Sequence, residues 1–271
     1  MAAVAVAGVA SAQVTITGTM GFGFSDQSSG ARSAGFTDGN VTFAASEDLG
    51  GGMSVSGSFT IDGKGSEGNP SMDGQSLSLT TATAGSLAMG EANAAKDKLG
   101  VASLPYSTEQ LFGGNTSGYT YAQYTLPTIV DGLSVGLRWT GSAGSMSTAG
   151  SKPQYRLSMS VAGAAIDFNT KPSSTGTASE VAVSYTVEGI TLKAFADTAV
   201  ASGDKRQEYS VSAPFGAMTL AASTATKGTL KGTEVAATYA LSKRTSVSVN
   251  FGSFTGGTDT SANRVKLVHK F

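Results

Sequence analysis

In the stretch VAVSYTVEGITLKA, Val181 to Ala194, every second residue is apolar: Val181, Val183, Tyr185 and Val187 precede Glu188-Gly189, and Ile190, Leu192 and Ala194 follow it. Between them stand Ala182, Ser184, Thr186, Thr191 and Lys193. A period of two is that of a β-strand, whose successive side chains point to opposite faces. The central Glu-Gly pair supplies a tight turn. The stretch therefore predicts a hairpin with one greasy and one polar face. One such hairpin fits a soluble sandwich as well as a membrane barrel, so the number of repeats decides.

Working outward, the same alternation recurs along the chain. Tyr155, Leu157, Met159 and Val161 turn at Ala162-Gly163 into Ile166 and Phe168. Tyr209, Val211 and Ala213 face Met218, Leu220 and Ala222, and Val235, Ala237, Tyr239 and Leu241 face Val247, Val249 and Phe251. Toward the amino end, Tyr119, Tyr121 and Leu126 turn into Val135, Leu137 and Trp139; Leu77 to Leu79 turns into Leu87 to Met89; Val41 and Phe43 turn into Val55, Phe59 and Ile61. A first strand carries Val14, Ile16, Met20, Phe22 and Phe24, and a last one Val265, Leu267, His269 and Phe271. The total is about sixteen strands, an even number, with tight turns at one end and longer Gly/Ser/Thr/Lys loops at the other. That is the pattern of an all-β transmembrane antiparallel β-barrel. Tyr119, Tyr155, Tyr185, Tyr209 and Tyr239 are read on the apolar parity, several near strand ends, as interfacial girdles require. The competing reading is aromatic packing inside a sandwich, which would need a richer core than alternating Ala, Val and Thr.

Composition narrows the function. Charged residues are 14%, glycine reaches 36 and proline 6, which favours strands and turns. The charge is nearly balanced, with 18 basic and 19 acidic residues, and no polybasic surface points to nucleic acid. Cysteine is absent and His269 is the single histidine, so disulfides, thiolate sites and most histidine metal sites or triads are excluded, and no cofactor or metal is implied. The run MAAVAVAGVASAQ ends in Ala10-Ser11-Ala12, a small-x-small cleavage pattern. Residues 1–12 read as the tail of a secretory signal peptide with its start upstream, and 13–271 as a single barrel domain; the alternative is an apolar first strand. No segment approaches the roughly 18 apolar residues of a membrane helix.

Three stretches resemble the Gram-negative general porin family, most closely its betaproteobacterial branch: FAASEDLGGGMSVSGSF at 43–59, GLSVGLRW at 132–139 and the closing RVKLVHKF at 264–271. The resemblance implies a homotrimer of sixteen-stranded barrels in the outer membrane, each with its third outer loop folded inward as a constriction. It also implies that the terminal Phe271 is read by the barrel assembly machinery. Residues 91–116, too polar for a membrane strand and too long for a turn, lie where that loop belongs, and LPYSTEQLFGG at 104–114 keeps part of the family's Pro-Glu-Phe-Gly-Gly motif.

Parity selects the charges of the lumen, since residues between the apolar ones point inward. Arg138, Arg156, Lys193, Arg264 and Lys266 are expected inside, with Asp167, Glu180 and Glu234. They would face the loop charges Glu91, Lys96, Asp97, Lys98 and Glu109, and opposed signs would set ion preference. The family's basic residues on the second strand are here Asn40 and Ala44, and its Gly-Arg at the end of the fifth is Gly90-Glu91. The expected function is a water-filled pore for small hydrophilic solutes and ions, with weaker anion preference than the family norm, near non-selective or mildly cation-favouring. Two rivals are weighed. A barrel hydrolase needs a nucleophile, a base and an orienting group in reach, and His269 falls on the lipid side near the terminus. A surface adhesin or structural outer-membrane β-protein would have no use for the terminal aromatic strand, and no fixed solenoid repeat is present.

Overall fold

The structure, a computed structural model, describes residues 12–30, 32–63, 71–93, 118–141, 153–173, 176–198, 205–257 and 260–271. The first half contributes β1 (Gln13–Gln27), β2 (Arg32–Gly50), β3 (Met53–Asp62), β4 (Ser71–Thr81), β5 (Gly85–Asn93), β6 (Gly118–Thr125), β7 (Leu133–Thr140) and β8 (Gln154–Val161). The second half contributes β9 (Ala164–Ser173), β10 (Gly176–Val187), β11 (Ile190–Asp197), β12 (Arg206–Phe215), β13 (Met218–Lys227), β14 (Leu230–Ala240), β15 (Thr245–Thr255) and β16 (Ser261–Lys270). Each strand pairs antiparallel with its neighbours in sequence, and β1 pairs with β16 to close the barrel. Closure leaves no sheet edge, and every strand can satisfy its backbone groups within the wall, which is what a hydrocarbon surround demands.

The two faces separate by register. Val183, Leu192, Tyr209, Val235, Val249 and Leu267 share the outward face, and large apolar side chains such as Val14, Leu77, Val183 and Leu192 are exposed on it. In water these would cost about 25 cal/mol per Å² of apolar area; against lipid they cost nothing. Tyr155 and Tyr209 stand toward one end and Tyr185 and Tyr239 toward the other, all exposed and outward, giving two aromatic belts.

At the turn end the connections match expectation. Ala162-Gly163 and Glu188-Gly189 are two-residue turns with both central φ values positive, 49° and 80° in one and 50° and 80° in the other. That is the type I′ geometry whose twist matches the flanking strands. The loop end is less uniform than predicted. Residues 28–31, 174–175 and 228–229 connect their strands as briefly as the turns do.

The closing seam is built on the last residue. Gly18 N–H donates to the Phe271 carbonyl at 2.9 Å, and Phe271 N–H donates to the Gly18 carbonyl at 3.1 Å. The Phe271 ring lies where a side chain at position 18 would be: a Cβ there would sit 2.2 Å from Phe271 Cζ.

Candidate functional site, the wall of the lumen

The inward faces of β6, β7 and β8 form a basic sector. Arg138 donates through Nε to Gln123 Oε1 at 2.8 Å and through Nη1 to the Tyr119 hydroxyl at 3.1 Å. Its guanidinium lies 4.7 Å from the centre of the Tyr121 ring. Arg156 donates to the same Gln123 oxygen at 3.3 Å, while Gln123 Nε2 donates to Thr125 Oγ1 at 3.2 Å. One amide oxygen thus accepts from two guanidiniums, which fixes the amide's orientation and holds two like charges side by side.

The following strands, β9 to β15, form an acid-rich sector. Asp167 accepts the Ser158 hydroxyl. Arg206 sits among three carboxylates: Glu208 at 3.5 Å, Asp197 at 3.6 Å and Glu180 at 4.0 Å. It also stacks 4.2 Å over the Phe195 ring. Glu180 and Glu208 are buried, and so is Glu234. Asn169 Nδ2 donates to Glu180 at 3.5 Å and Asn250 Nδ2 to Glu234 at 2.9 Å. Buried carboxylates are tolerated only with such donors and counter-charges around them.

At the closing seam, Lys266 of β16 reaches Asp38 of β2 across β1. The passage is open because Gly21 has no side chain: a Cβ there would sit 2.4 Å from Asp38 Oδ2 and 3.1 Å from Lys266 Cε.

Of the residues expected on the wall, Arg138, Arg156, Asp167, Lys193, Arg264 and Lys266 are all on the inward register, as are Glu180 and Glu234. Glu91 is different. Strand β5 continues past it, its partners are Gln75 and Thr120, and it shares the outward face of Leu87 and Met89, so it is not a lumen charge. It accepts a hydrogen bond from Gln75 Nε2 at 3.1 Å, which gives its charge a donor on that face. Lys96, Asp97, Lys98 and Glu109 lie outside the described residues. Tyr119 and Tyr121 also depart from expectation: they face inward with Gln123, while Ala122 and Tyr124 face outward. Their reward is Arg138, which takes a hydroxyl from one and a π face from the other. His269 faces outward as expected, with Nδ1 2.9 Å from Thr245 Oγ1.

Sequence reasoning missed Arg206, Glu208, Asp197, Asp38, Asn169 and Asn250. The signal was present for several of them, because an outward Tyr209 places Arg206 and Glu208 inward by parity. The inward face therefore carries both signs, arginines on β7 and β8 and acids intermixed with cations on β9 to β14, rather than a ring of one charge.

A family model described as Gram-negative porin matches residues 1–269. No curated protein sequence matches. Among solved structures, a loop-deletion mutant of OmpT, an outer membrane protein of Vibrio cholerae, is similar at TM-score 0.73 and 12% identity, over 96% of this chain and 99% of that one. A mutant of the porin of Rhodopseudomonas blastica is similar at TM-score 0.69 and 11% identity, over 96% and 100% of the respective chains. At such identities the likeness speaks for the fold.

Proposed function

The chain belongs to the Gram-negative porin family and forms a channel in the outer membrane; we propose that this channel is a general diffusion pore of weak charge preference, near non-selective or mildly cation-favouring. Family membership points to a channel rather than an enzyme. The observation that carries the selectivity is the mixed wall. Arg138 and Arg156 form one small basic sector, Asp167, Glu180, Asp197, Glu208 and Glu234 follow on the next strands with Lys193, Arg206 and Lys227 among them, and Arg264 and Lys266 stand on β16. The inward positions Asn40 and Ala44 of β2 and Gly90 of β5 carry no charge. Glu91, being outward, does not add to the acid side, so the departure from a basic wall comes from missing cations and from the acids of β9 to β14.

Small hydrophilic solutes and ions are the cargo in this reading, a homotrimer in outer-membrane lipid is the working assembly, and the barrel assembly machinery is the partner that reads Phe271. The decisive measurement is the reversal potential of the purified protein in a planar bilayer under a KCl gradient. A value near zero or of the cation-favouring sign is expected. A strongly anion-favouring value would sink the proposed selectivity.

A further inference from the structure

Toward the turn end of β6 to β9 the lumen wall holds a recess of about 100 Å³, lined by Gln123, Thr125, Ser134, Arg156, Ser158 and Asp167 among others. At the roughly 30 Å³ that a water occupies in the liquid, the recess has room for about three waters, or for a headgroup of a few heavy atoms. Its charges are of two signs on adjacent strands. Arg156 enters from β8, its guanidinium oriented by Gln123 Oε1 at 3.3 Å. Asp167 enters from β9 with the Ser158 hydroxyl on its Oδ1. Arg138, buried and held by the same Gln123 oxygen at 2.8 Å, strengthens the positive side without lining the recess.

This arrangement discriminates by charge pattern. A simple anion drawn to Arg156 meets the Asp167 carboxylate, and a simple cation drawn to Asp167 meets two guanidiniums; each gains one contact and suffers one repulsion. A molecule with a carboxylate and an ammonium a few bonds apart satisfies both partners through charge-assisted hydrogen bonds. The hydroxyls of Thr125 and Ser134 offer further polar contacts. We propose that this recess is a binding subsite for small zwitterions, with the carboxylate on Arg156 and the ammonium on Asp167, the chemistry of an α-amino acid. The inference rests on the reading of the barrel as an open channel and adds a solute class to it. Because such a solute carries no net charge, the membrane potential does not drive it, and local binding is what retains it in the pore.

The test uses single-channel current of the purified protein in planar bilayers, with glycine, potassium acetate or methylammonium chloride titrated into a constant KCl background. Glycine is expected to depress the current saturably, and more strongly than equal concentrations of either singly charged probe. Arg156→Gln and Asp167→Asn are each expected to raise the half-saturating glycine concentration about tenfold or more, the loss of one charge-assisted hydrogen bond. Lys231→Gln, outward on β14 and outside the recess, keeps the native response. If glycine acts no more strongly than acetate and methylammonium on the native channel, the subsite is refuted, and this comparison needs no variant to fold. If Arg156→Gln or Asp167→Asn opens normally and retains the glycine response, the assignment is equally refuted. A native protein that forms no channel at all would instead overturn the porin reading beneath it.

Discussion

Arg206 is the residue whose removal most directly tests the account of the wall. Its guanidinium lies 3.5–4.0 Å from carboxylate oxygens of Glu208, Asp197 and Glu180, with side-chain exposures of 6% for Arg206 and 0% for Glu208. At an effective dielectric near 20, one such contact carries roughly 4–5 kcal/mol of Coulomb attraction, and desolvation of the partners cancels most of it. Removal of one partner is another matter, because the desolvation has been incurred and the compensation is gone. Arg206→Met keeps an unbranched side chain against the Phe195 ring and deletes only the charge and its donors. It should destabilise the barrel by about 3–5 kcal/mol, the usual cost of breaking a buried pair. Arg206→Lys keeps the charge but loses the planar stack, and should fall between native and Met. The assay is reversible urea unfolding in lipid vesicles, followed through the single tryptophan, Trp139, on β7. The double variant Arg206→Met with Glu208→Gln should recover part of the loss, a non-additivity expected of direct contact. If Arg206→Met unfolds within about 0.5 kcal/mol of the native chain, the cluster does not have the energetic role assigned to it.

Three further outcomes are expected. Gly18→Ala places a Cβ 2.2 Å from Phe271 Cζ and 2.9 Å from the Asn40 carbonyl oxygen, so the ring must leave its seat; a loss of about 1–2 kcal/mol should show as a lowered temperature of heat modification on gels, less so in a Phe271→Ala background. Glu188 holds φ at 50° in its turn, and Glu188→Asn, better suited to that conformation, should stabilise by up to about 1 kcal/mol in the same urea assay. Deleting residues 94–115, beyond the end of β5 at Asn93, should raise single-channel conductance if they narrow the pore, and an unchanged conductance would remove them from that role.

The outward half of this protein was legible because lipid enforces a simple rule: Val181, Val183, Tyr185 and Val187 can be in phase only one way, and sixteen repeats of that logic yield the barrel. The inward half obeys no such rule. Arg138, Arg156 and Lys266 follow from parity, but Tyr119 and Tyr121 do not, because a tyrosine suits an interfacial belt or an arginine's side equally well. Leu126, read together with them, is out of phase with both and lies beyond the end of β6 at Thr125. Glu91 was misplaced for a related reason: a polar residue looks like the start of a loop, yet β5 extends to Asn93 and carries it outward. The Arg206 cluster draws on β10, β11 and β12 at once, and only the pairing register brings Glu180, Asp197 and Glu208 within 4.0 Å of one side chain.

The seam between Gly18 and Phe271 ties closure of the barrel to the arrival of its last strand. Since β1 has no final partner until β16 arrives, a ribosome product cut short before β16 leaves two raw strand borders, one at each end of the unfinished sheet. Such a chain lacks the terminal ring, the paired bonds to Gly18 and the Lys266 strap to Asp38 together. Truncation before β16 is therefore registered as failure to seal.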